Sequence, residues 1–170
     1  SVVCRADTDY RPLVELSAEN GEPGYFWLDN ARAFGRMKDP ANHRDEPAMG
    51  TNPCVEQTLW DRELCCLVET YPARHDSFDD YARTLRLAYR YAKAVTLVPT
   101  FDERTNLVMM QNRRIGCSMT GVVQAINRHG YREFFTWCDR GYELLTELDR
   151  EHSRALGIPA GHRASGAAAG

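Results

Sequence analysis

Several things are missing from this sequence, and each absence removes a class of protein. There is no C-x-x-C pair, no histidine at the usual zinc spacing, no long apolar run, no basic excess and no internal repeat. The six cysteines, at 4, 54, 65, 66, 117 and 138, are too few in 170 residues for a disulfide-stapled scaffold and do not read as a structural zinc site. A formal net charge of −3 and a pI near 6.0 argue against a nucleic-acid polymer or an anionic membrane surface as partner. No apolar stretch approaches the roughly 18 residues that span a bilayer, and SVVCRADTDY lacks the basic-then-apolar layout of a secretory signal. The expected compartment is cytoplasmic, with no membrane, and the thiols are expected to be reduced. The start at Ser1, directly on the pair Val2-Val3, leads us to expect that something upstream is missing.

What is present is ordinary in composition, 43% hydrophobic and 26% charged, and long enough for one domain with a core. The turn cluster Glu19 to Gly24 leads into a strand over Tyr25 to Leu28, with Asp29 and Asn30 as cap or ligand candidates. Residues 33 to 48 turn polar and read as a surface loop. Ser77, with Asp80 three residues on, caps a helix whose apolar face is Phe78, Tyr81, Ala82, Leu85, Ala88, Tyr89, Ala92 and Val95. Thr100 and Glu103 repeat that pattern before a helix from Phe101 to Asn112, closed by Arg113 and Arg114, which read as a helix terminus rather than a phosphate clamp. A strand over 115 to 120, a short helix over 122 to 128 and a long helix carrying Phe134, Trp137, Gly141, Leu145 and Leu148 complete the chain. Residues 159 to 170 read as a disordered or truncated tail after a domain of residues 1 to 158.

The most informative stretch is MGTNPCVEQTLWDRELCCLVE, residues 49 to 69. Gly50, Asn52 and Pro53 force a turn that puts Cys54 at its tip. Glu56 follows two residues later, and Cys65 lies in the apolar run Leu64 to Val68, which reads as a buried strand. Taken singly, Cys54 is a turn thiol, Glu56 a solvated acid, Asn52 a turn former, and Cys65 and Cys66 small hydrophobes. Together, a thiol, a carboxylate and a second thiol on one tight loop and its neighbouring strand suit chemistry better than packing. That reading needs the Cys54 sulfur to be enclosed.

ENGEPG at 19 to 24, GTNPCVEQTL with ELCCLVE at 50 to 69, AYRYAKAVTLVP at 88 to 99 and NRRIGCSMTG at 112 to 121 resemble one family. They are similar to the catalytic-loop region of the adenosylcobalamin-dependent (class II) ribonucleotide reductases, and within those to the monomeric ribonucleoside-triphosphate reductases. The resemblance implies an α/β fold, part of a ten-stranded barrel whose central finger loop carries the radical cysteine. It implies adenosylcobalamin as cofactor, a ribonucleoside triphosphate as substrate, a thioredoxin-like dithiol as reductant, and the remainder of a reductase chain as partner. By position, Cys54 matches the thiyl-radical cysteine that takes the 3′ hydrogen of the ribose. Glu56 matches the carboxylate that takes the 3′-hydroxyl proton, Asn52 the amide that orients it, and Cys65 one of two thiols that reduce the 2′ carbon. The implied partner of Cys65 lies on a strand this chain does not contain.

Two residues depart from the family pattern. Val55 stands where many members carry Gly, and a β-branched residue takes positive φ only with strain. Cys66 replaces a commonly polar neighbour and is expected to compete with Cys65 in disulfide exchange. The upstream barrel half, the effector region, the Ser-Gly-rich phosphate loop, most of the cobalamin site and the C-terminal cysteine pair are missing, so a fragment, inactive by itself, is the expectation. The alternatives are a non-enzymatic α/β interaction protein derived from a reductase, a thiol redox or metal-binding module, and a glycyl-radical or diiron reductase. The ENGEPG and NRRIG segments favour the cobalamin type over the last of these.

Overall fold

A computed structural model describes residues 2–34, 39–55 and 57–161. Two parallel strand pairs and one antiparallel hairpin are linked and covered by helices. β1 (Val2–Cys4) runs into α1 (Arg11–Asn20) and returns as β2 (Tyr25–Trp27), parallel to β1 with Val3 opposite Phe26. The segment PLVEL, residues 12 to 16, is helical. Pro12 in its first turn costs no hydrogen bond, and Gly21 closes it at φ 78, donating its N–H to Ser17 O at 2.9 Å. α2 (Leu28–Ala33) then begins where the strand was expected to continue, and Asp29 stands in its first turn, where a negative charge suits the helix dipole.

The hairpin is short: β3 (Gly50–Thr51) pairs with β4 (Thr58–Leu59), Thr51 opposite Thr58. Beyond it, β5 (Leu67–Thr70) pairs in parallel with β6 (Gly116–Met119), Leu67 opposite Gly116 and Thr70 opposite Met119. The expected strand at 64 to 68 is thus displaced toward the C-terminus. At Gly116 an added Cβ would stand 2.4 Å from Leu67 Cδ2, so a larger residue there would have to displace the end of that side chain.

Between β5 and β6 lie a 3₁₀ turn (Pro72–Arg74), α3 (Phe78–Val95) and α4 (Glu103–Asn112). Ser77 caps α3 as expected, its Oγ accepting from the Asp80 N–H at 3.3 Å. The start of α4 differs. Asp102, not Thr100, is its N-cap, accepting from the N–H groups of Arg104 at 2.8 Å and Thr105 at 3.4 Å, while Thr100 bonds Asn106. A carboxylate accepts two amides where one hydroxyl accepts fewer, so the cap moved to the acid. Val95 ends α3 and residues 96 to 98 turn out of it.

α5 (Val122–His129) and α6 (Tyr131–Leu156) finish the described chain. The main core lies where Tyr81 and Leu85 of α3 meet Trp137 of α6, with Phe78, Met119, Leu144 and Leu145 packed around them. Gly141 lets α6 approach, as a Cβ there would come to 3.1 Å from Leu85 Cδ1. A second, smaller core of Phe26, Leu28 and Ala48 underlies the hairpin. The tail expected from 159 onward is held by backbone at its start, since Gly161 donates its N–H to Asp149 Oδ2 at 2.8 Å; residues 162 to 170 lie outside the described residues.

Candidate active site

The hairpin loop is closed by one side chain and three backbone bonds. Asn52 N–H donates to Gln57 O at 3.2 Å, Val55 N–H to Asn52 O at 3.1 Å and Met49 N–H to Leu59 O at 3.0 Å. The Asn52 side-chain oxygen accepts from Gln57 N–H at 3.0 Å. Asn52 and Gln57 are buried, so the base of the loop is shut off from solvent, with the side-chain amide of Gln57 left without a hydrogen-bond partner among the described residues. Pro53 and Cys54 ride above it. Asn52 is thus a loop-closing residue, which fits an amide that orients its neighbours.

Cys54 is exposed at the tip, against the expectation of an enclosed sulfur. The cause is the local geometry: a loop on a two-residue ladder projects beyond the small core beneath it, and only its base is covered. Glu56 lies outside the described residues. Cys65 also departs from expectation. It is exposed and precedes β5 rather than lying within it, because Glu63 and Leu64 are held elsewhere. None of the six cysteines is in a disulfide. Cys66 turns inward, and burial together with the Glu63 carboxylate pushes its thiol up, so it is a poor competitor for Cys65 in exchange. Cys117, on β6, is pushed by burial to about 12.

Val55 takes φ 67, the left-handed conformation that a glycine would adopt freely. The loop keeps that conformation despite the β-branched side chain, which packs against the Phe26, Leu28 and Ala48 core. Apolar burial offsets part of the strain.

Sequence reasoning missed the cluster that anchors this hairpin. Arg114 is fully buried and forks onto Asp45, Nη2 to Oδ1 at 2.7 Å and Nη1 to Oδ2 at 3.0 Å. Its Nε donates to Glu63 Oε1 at 3.0 Å, and Nη1 also donates to Thr58 Oγ1 at 2.8 Å. Trp60 adds its indole N–H to Asp45 Oδ1 and its backbone N–H to Glu63 Oε2, both at 2.8 Å, and Thr58 donates its hydroxyl to Asp45. Burial alone would raise Asp45, but the bond and charge of Arg114 outweigh it and hold the carboxyl below its usual range. Arg114 is therefore no helix terminus, and Asp45 is no surface-loop residue; only Arg113 closes α4, at φ 47. The partners are 69 and 51 positions from Arg114, and no local spacing announces such contacts. The available signal was an arginine abutting an apolar strand, with acids on both sides of the hairpin.

No family model matches the chain. It is 48% identical over 160 residues to a protein of Dictyostelium discoideum named probable adenosylcobalamin-dependent ribonucleoside-triphosphate reductase, covering 94% of this chain and 21% of that protein. It is 44% identical over 158 residues to the adenosylcobalamin-dependent ribonucleoside-triphosphate reductase of Euglena gracilis, covering 93% and 22%. Among solved structures, a B12-dependent (class II) ribonucleotide reductase superposes with a TM-score of 0.83 at 27% identity, over 98% of this chain and 27% of that one. The chain spans about a fifth of the length of the curated relatives it matches.

Proposed function

The chain belongs with the adenosylcobalamin-dependent ribonucleotide reductases, as one stretch of their fold, and from that premise we propose that the protein it is part of converts ribonucleoside triphosphates to 2′-deoxyribonucleoside triphosphates. The observation that carries this reading is the Asn52-closed hairpin presenting Cys54, with Val55 in the conformation a glycine would take. Adenosylcobalamin, when bound, supplies the organic radical that takes a hydrogen atom from a thiol. Cys54 is the thiol that would give up that hydrogen; its sulfur is exposed at the loop tip in this chain, so the reading requires the rest of the protein to enclose it.

Each remaining role belongs to a residue of the loop or its neighbour. The Cys54 sulfur, as a radical, takes the 3′ hydrogen of the ribose and later returns it. An S–H bond is close enough in strength to a ribose C–H bond for the exchange to run both ways. Glu56 takes the 3′-hydroxyl proton, and a carboxylate closed off from water by bound substrate is a better base than a solvated one. Asn52 closes the loop that carries Cys54, its side-chain oxygen accepting from the Gln57 N–H. The 2′ hydroxyl leaves as water, and two thiols, Cys65 and a partner from the rest of the reductase, give up two hydrogens and become a disulfide. An external dithiol of the thioredoxin type reduces that disulfide for the next turnover.

The test is deoxynucleotide formation by the full-length reductase carrying this stretch, supplied with a ribonucleoside triphosphate, adenosylcobalamin and a dithiol. Cys54→Ser is expected to abolish product, and Cys65→Ser to stop turnover under a thioredoxin-type reductant. Product formation at the unaltered rate by Cys54→Ser overturns the assignment.

A further inference from the structure

The hairpin with Cys54 and the segment with Cys65 follow one another in the chain, and one buried cation from a distant stretch touches the flanks of both. Arg114 stands two residues ahead of β6. Through Asp45 it holds the chain that enters the hairpin, through Thr58 it holds β4, and through Glu63 it holds the residue two positions before Cys65. Trp60 closes the ring between the two carboxylates. We propose that Arg114, with Asp45 and Glu63, is the positioning element that sets the Cys54 loop relative to the Cys65 segment and registers both on the β5–β6 pair. The proposal rests on the reductase reading for its catalytic consequence, and on the geometry alone for the placement of the thiols.

The chemistry of the cluster supports positioning over mere stabilisation. A buried ion pair is a poor way to gain stability, since desolvation offsets most of the attraction, yet its directional bonds fix geometry. A guanidinium meets two carboxylates and a hydroxyl through a rigid planar fork, which a lysine ammonium cannot reproduce. Both side chains of the Arg114–Glu63 pair are fully enclosed, so neither moves without the other. The other buried cations among the described residues bond elsewhere: Lys93 donates to Asp149 and Ser153, and Arg113 to the Thr96 carbonyl.

Arg114→Lys keeps the charge and removes the fork, and the triple variant Asp45→Asn/Glu63→Gln/Arg114→Met removes all three charges while keeping similar volumes. In the full-length reductase, both are expected to lower kcat about 10²-fold, the usual consequence of displacing reacting groups by about 1 Å, with KM nearly unchanged. Independently of turnover, both are expected to change the ratio of the Cys54 and Cys65 alkylation rates and to speed hydrogen exchange at the Val55 and Gln57 amides. Altered thiol ratios and exchange support the placement role even where the unaltered protein makes no deoxynucleotide, an outcome that would count against the reductase reading alone. Unchanged thiol ratios and exchange in folded Arg114→Lys overturn the proposal. So does a triple variant that is as stable as the unaltered enzyme and recovers its kcat, because the cluster would then be only structural. Should Arg114→Lys fail to fold, the triple variant decides by the same readouts.

Discussion

At the scale of single residues, Val55 is where the family pattern and local physics disagree, and the backbone followed the pattern. The left-handed conformation costs an ordinary L-residue about 1–2 kcal/mol, and Val55 recovers part of that by packing on the core beneath the hairpin. Truncation separates the two effects. Val55→Ala loses the packing and keeps a Cβ at φ 67, whereas Val55→Gly loses the packing and the strain together. Glycine is therefore expected to be the more stable of the two by about 1 kcal/mol, the reverse of the ordinary order, measured by denaturant midpoint. An alanine variant equal to or better than the glycine variant would show that the loop does not hold this conformation. The strain was foreseeable only through the family resemblance, which places Gly where this chain has Val55.

Asp45 makes the opposite point, since nothing local distinguished it from the polar residues around it. Its carboxyl sits below its usual range in the fold, while in the unfolded chain it titrates near about 3.9. The stability it adds is fully present above that value and is lost as pH falls through the lower folded one. Asp45→Asn is expected to flatten the acid limb of the stability curve below about pH 4, while costing about 3–5 kcal/mol at neutral pH by breaking a buried pair. Unfolding curves between pH 2 and 7 read both effects. An unchanged acid slope would place the titrating group elsewhere.

Among elements, α3 was legible because its two signals agree. Ser77 caps it, and seven of its residues, Tyr81 to Lys93, are buried at helical spacing. Ser77→Ala is expected to cost about 1 kcal/mol, read as a lowered thermal midpoint, with no change in thiol reactivity since the cap is remote from the hairpin. A loss of stability near zero would mean that Asp79 and Asp80 in the first turn hold the helix start by themselves. The elements that escaped prediction are those decided by distant partners. β5 begins at Leu67 rather than Leu64 because Glu63 is tied to Arg114 and the Leu64 N–H to Met109 Sδ at 3.3 Å. An apolar run marks where a strand can lie, and its ladder partner chooses which residues join it.

On the scale of the whole molecule, the two halves are held by different means. The helical layer is joined by the Tyr81, Leu85 and Trp137 core and by Lys93, whose Nζ donates to Asp149 Oδ1 at 2.7 Å across α3 and α6. The hairpin side has a smaller core and relies on Arg114. No described residue covers the Cys54 tip, and the chain spans about a fifth of the relatives it matches. Enclosure of that sulfur is an expectation the described residues do not fulfil, because the turn that presents Cys54 also lifts it off the core. If the reductase reading holds, the missing walls belong to the rest of the protein, and thiol chemistry should report them. In the isolated chain, Cys54 is expected to be alkylated on the order of tenfold or more faster than in the full-length reductase. Cys66, buried, and Cys117, half-buried, are expected to react slowly in both, since desolvation pushes both thiols up. The isolated chain is also expected to form no deoxynucleotide, since no described residue shields a sulfur radical at Cys54 from solvent. Equal Cys54 rates in the two proteins would mean that the loop tip stays open in the assembled enzyme, and radical chemistry would then need another shield.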